Sequence, residues 1–79
     1  MGFEIDRVER NKDKLVEEIV VLVDKHLEIT FRWVNTQPEE VSRTTSDTRL
    51  YSQEKLWVNK AVYNRLIKQV WGIFHSSRK

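Results

Sequence analysis

Seventy-nine residues, a third of them charged and none of them cysteine, set the outer limits for this chain. One domain of this size buries only about 60% of its unfolded surface, and it has no disulfide and no thiolate zinc site to help, while two histidines cannot complete a zinc shell. The formal net charge of +2 hides an asymmetry: residues 1–40 carry ten acids against six Lys and Arg (−4), and residues 41–79 carry two against eight (+6).

Asp6 followed by Glu9 reads as a capping box. It predicts a short helix over about 7–18 with Val8, Leu15 and Val16 as its apolar contributions. The five consecutive apolar residues Ile19–Val23 favour a strand, because branched side chains lose rotamer freedom in a helix. Leu27, Ile29, Phe31 and Trp33 then alternate with Glu28, Thr30 and Arg32, the period of a half-buried strand. Strands over about 19–23 and 27–34 therefore pair as a hairpin; the alternative is a first helix continuing to Leu27, since Val8, Leu15, Ile19, Leu22 and Val23 also share a helical face.

The hairpin register follows from keeping one face apolar. A three-residue connection, Asp24-Lys25-His26, sets Val23 against Leu27, Val21 against Ile29 and Ile19 against Phe31, with Glu18 facing Arg32. Its last residue, His26, is expected at positive φ. Residues 35–51 read as a loop or a weak strand, the loop being preferred: Asn35–Glu40 is turn chemistry, Pro38 argues against a strand, and apolar anchors are lacking before Leu50. Ser52 is a good N-cap for a long helix over about 53–74. Its core arc is Leu56, Tyr63, Leu66, Ile67, Val70, Ile73 and Phe74, and residues 75–79 are expected to fray. The fold class is thus α+β: a short N-terminal helix, a β-hairpin, an irregular segment, and a long C-terminal helix packed on the hairpin.

No run approaches the roughly 18–20 apolar residues of a membrane span. The opening Met-Gly-Phe-Glu-Ile-Asp is acidic rather than signal-like, and Asp6 stands where a myristoylation motif needs Ser or Thr. A cytoplasmic protein is expected. Catalysis has no constellation to support it: His26 lies in a turn, His75 near a terminus, and with only Gly2 and Gly72 there is no phosphate-cradling loop. The expectation is a non-enzyme without cofactor or metal.

Binding has better candidates. Opposite the core arc of the last helix lie Trp57, Ala61, Asn64, Arg65, Lys68 and His75, with Lys60 and Trp71 at the border. Cations interleaved with indoles suit nucleic acid, and the candidate contacts are Lys55, Lys60, Asn64, Arg65, Lys68, Arg78 and Lys79. The alternative is a protein-interaction module, an adaptor or inhibitor, with Trp57 and Trp71 as interface anchors. A homodimer would bury more apolar surface than one short chain can. The weakest reading lays the basic helix on an anionic membrane surface; no membrane partner is expected.

The stretch Leu15-Val-Glu-Glu-Ile-Val-Val-Leu-Val-Asp-Lys-His-Leu-Glu-Ile-Thr-Phe-Arg-Trp33 resembles a segment near the C-terminus of large serine recombinases. There a short helix runs into a strand, a turn often carrying Asp-Lys or Asp-Gly, and a strand of the type Ile-Glu-Ile-x-Phe-Lys/Arg-aromatic. The matching positions are Leu15, Val16, Ile19, Val21, Asp24, Lys25, Leu27, Glu28, Ile29, Phe31, Arg32 and Trp33. The chain lacks the cysteines of the recombinase zinc region and has no room for the catalytic serine domain. The resemblance accordingly implies a detached, DNA-associated module of mobile-element origin, without recombinase chemistry.

Overall fold

The computed structural model describes residues 2–45 and 58–78. They form an antiparallel sheet of four strands in the order β1-β2-β3-β4, with one helix after them. The strands are β1 (Phe3–Arg10), β2 (Val16–Val23), β3 (Leu27–Val34) and β4 (Gln37–Thr45), and the helix is α1 (Lys60–Ser76). α1 covers one face of the sheet: Val62, Leu66, Val70 and Phe74 close over Ile19, Val21, Val23, Leu27, Ile29 and Phe31 in one buried cluster.

The central hairpin has the expected register, with Val23 opposite Leu27, Val21 opposite Ile29 and Ile19 opposite Phe31. Glu18 faces Arg32, their charged atoms 3.6 Å apart. The turn differs in detail: the left-handed residues are Asp24 (φ 50°) and Lys25 (φ 64°), not His26. Two successive residues of that kind give a turn whose twist matches that of the strands, and Asp tolerates the conformation. The His26 N–H then donates to the Val23 carbonyl at 3.2 Å.

The expected N-terminal helix is absent. Residues 7–10 belong to β1, residues 11–15 make a turn, and residues 16–18 begin β2. A bulge between Ile5 and Arg7 shifts the alternation by one, so Phe3, Ile5 and Val8 all pack against the core. A thin helical stripe would have left the edge of β2 unpaired; a strand satisfies that edge and buries the same side chains. Asn11 shapes the turn: its Oδ1 accepts from the backbone N–H groups of Asp13 (2.9 Å) and Leu15 (3.1 Å), and its Nδ2 donates to Glu17 (2.8 Å).

The expected loop after residue 34 is, over 37–45, the edge strand β4. Asn35 (φ 50°) and Thr36 (φ 68°) alone make the turn, setting Val34 opposite Gln37. Pro38 does not stop the strand but sits in it opposite Trp33. An edge strand tolerates proline because one side of its backbone has no neighbour to bond. The rest of the expected loop, 46–51, lies outside the described residues.

The Ser52 cap and the helical residues expected over 53–57 also lie outside the described residues. The helix itself starts at Lys60 behind Asn59, whose side chain accepts from the Ala61 N–H at 2.8 Å. The tail expected to fray is instead tied to β2. The Val16 N–H donates to Ser77 Oγ at 3.1 Å, and Arg78 donates to the Val16 carbonyl at 2.6 Å. No helix among the described residues is long and apolar enough to cross a membrane.

Candidate functional site

Because α1 buries one side, the opposite side is fixed by the 3.6-residue period: Ala61, Asn64, Arg65, Lys68, Gln69, Trp71, Gly72 and His75 are exposed. No Asp or Glu occurs anywhere in Lys60–Ser76. Lys60, Asn64 and Lys68 follow one another at helical steps of four residues, and Trp71 and His75 prolong the same stripe.

Trp71 is 40% exposed, whereas most large apolar side chains around it pack inward. Its ring lies 5.7 Å from that of His75, which in turn meets the Trp33 ring edge-on at 5.6 Å. Trp33 packs on Phe74 at 5.9 Å, and the Arg78 guanidinium lies 3.9 Å over its ring. The order Trp71, His75, Trp33, Arg78 thus runs from solvent toward the body of the protein.

The sheet face turned away from α1 has the opposite character. Register places Glu4, Glu9, Glu18, Glu28 and Glu39 on it with Arg7 and Arg32. Val20 is buried on that face between Arg7 and Thr30, which explains why β2 is apolar at consecutive positions: it is a central strand covered on both sides. Among the described residues, the far sheet face is therefore mainly acidic and the exposed side of α1 basic. Along the flank of α1 beside β1 run two shallow clefts of about 470 and 410 Å³. They share Gln69 and present Arg10, Arg65 and Lys68 without an acid among their lining residues.

Of the residues expected to meet nucleic acid, Lys60, Asn64, Arg65 and Lys68 come together on the exposed side of α1. Arg78 is engaged internally with Val16, Trp33 and Glu17, the last at 3.4 Å. Lys55, Lys79 and the interface candidate Trp57 lie outside the described residues. Trp33 is the aromatic that sequence reasoning left out of the site; it reaches the stripe only because the end of α1 comes to rest over β3.

A second polar cluster joins β4 to α1. Glu40 accepts from the Tyr63 hydroxyl at 2.8 Å and from Arg43 at 2.7 and 3.0 Å, with the Arg43 guanidinium 5.2 Å from the Tyr63 ring centre. Burial pushes the Glu40 carboxyl up, but the hydrogen bonds from Arg43 and Tyr63 and the charge of Arg43 together hold it below its ordinary value. Burial and the adjacent carboxylate push the Tyr63 phenol up. The geometry makes this cluster a latch between β4 and α1. Among the described residues no group of three or more His, Asp or Glu is placed to hold a metal.

No protein-family model matches the chain, and neither the curated proteins nor the solved structures yield a match to it. The segment resembling serine recombinases, 15–33, spans the end of the first turn, β2, the second turn and most of β3. The short helix that the resemblance sets ahead of its first strand is absent here.

Proposed function

We propose that the protein is a small non-catalytic binding module that associates with nucleic acid, or with a nucleoprotein complex, through the outer side of α1. One observation carries this reading: the exposed side of α1 holds Lys60, Arg65 and Lys68 with no acid on the helix, while five glutamates lie with two arginines on the opposite sheet face. A surface so sorted attracts a polyanion although the whole chain is nearly neutral. The recombinase-like pattern of residues 15–33 points the same way.

The test is a titration of the full chain with labelled single-stranded and duplex DNA across a salt series. Contact by these cations predicts a log–log salt slope of roughly −2 to −3. Lys68→Ala should flatten that slope by about 0.7–0.9. No binding at low salt would sink the reading. A second reading, a dimeric protein-interaction module, draws on the exposed Trp71. Sedimentation tests it: a monomer at high concentration in wild type and Trp71→Ala alike removes the dimer.

A further inference from the structure

The geometry points to single-stranded nucleic acid as the ligand of α1, with Trp71 as the platform on which an unpaired base stacks; this rests on the reading just given. Trp71 is the exposed aromatic of the described residues and takes no part in the core cluster. The indole leaves 40% of its surface to solvent, and its flat faces are what an unpaired base can use. The His75 ring stands 5.7 Å from it and meets Trp33 in turn at 5.6 Å, so the indole heads a row of aromatic rings rather than projecting alone.

The approach to that platform is polar and cationic. Lys60, Asn64 and Lys68 follow at four-residue steps, each a rise of about 6 Å along the helix axis, and Trp71 comes three residues after Lys68. A strand laid along this stripe sets its phosphates against the lysines and delivers a base to the indole. Duplex DNA offers the platform no base face, because its bases are paired and already stacked on one another. A protein partner fits less well: Lys is depleted at protein interfaces, and here it borders the single aromatic anchor on the stripe.

The discriminating experiment compares three fluorescein-labelled 12-mers by anisotropy with the full chain at low salt: oligothymidine, an abasic strand of the same backbone, and a duplex. Oligothymidine is expected to bind about tenfold more tightly than the abasic strand. Trp71→Ala should lower its affinity toward the abasic level, and Trp71→Phe should retain part of the difference. Equal affinity for oligothymidine and abasic strand in the wild type, with both falling as salt rises, overturns the stacking platform and leaves the phosphate-binding reading intact. Preference for the duplex overturns it as well. If none of the three binds, both readings fall together.

Discussion

Arg78, two residues beyond α1, meets β2 and β3 by three kinds of contact at once. It donates to the Val16 carbonyl at 2.6 Å, lies 3.9 Å over the Trp33 ring, and pairs with Glu17 at 3.4 Å. With its side chain largely covered, the guanidinium is worth more here than on an open surface, about 1 kcal/mol for the hydrogen bond and a similar amount for the stacking. Arg78→Ala should therefore lower the unfolding free energy by roughly 2 kcal/mol in a urea titration. Arg78→Lys should restore less than half of that, since an ammonium has no plane to lay on an indole. In the sequence Arg78 is one more cation in a short polar tail. Its partners Glu17 and Val16 lie 61 and 62 residues away, where nothing in the local sequence points.

At the scale of elements, the turns carry the clearest strain. Thr36 holds φ 68° although it is β-branched, a conformation that Gly adopts freely and that follows Asn35 in the most favoured two-residue hairpin turn. Thr36→Gly should raise the thermal midpoint, stabilising by about 1 kcal/mol; a lower midpoint would mean that Thr36 makes up the strain through contacts of its own. The edges of the sheet are both blunted. β1 is bulged at Asp6, has a second register shift against β2 after Glu9, and carries five charges in eight residues. β4 contains Pro38 and a register shift beside Val41. Such edges resist pairing with a second sheet, so any dimer must form through a face instead. The central hairpin was legible because its alternation is unbroken and only one register keeps a face apolar. β1 was not, because its bulge puts Val8 out of step with Phe3 and Ile5 and leaves a spacing that imitates a helix. β4 was obscured by the very proline that an edge position permits.

For the molecule as a whole, stability across pH depends on the latch between β4 and α1. Glu40 is held below 4.5, so its contribution is complete above that value and lost as pH falls through the lowered one. Tyr63 is held above 10.0, so its contribution is complete below that value and lost as pH rises through the raised one. Tyr63→Phe should cost about 1 kcal/mol at neutral pH. In paired melts, that difference should shrink as the solution passes either limit. A difference that stays constant into the alkaline range would show that Tyr63 does not titrate against Glu40. The α1 stripe of the candidate site was legible from helical periodicity. The latch and the row leading to Trp33 were not, because each forms only where α1 crosses strands distant in sequence.

The sorting of charge into two opposite surfaces also gives the described residues an electric moment. The outer side of α1 bears Lys60, Arg65 and Lys68, while five glutamates against two arginines lie across the thickness of the fold. In the field of any highly charged body such a particle rotates before it touches, presenting the helix to negative surfaces and the sheet to positive ones. Its orientation on arrival is thus set at a distance, and added salt should erase that preference beyond about a Debye length, near 10 Å at 0.1 M.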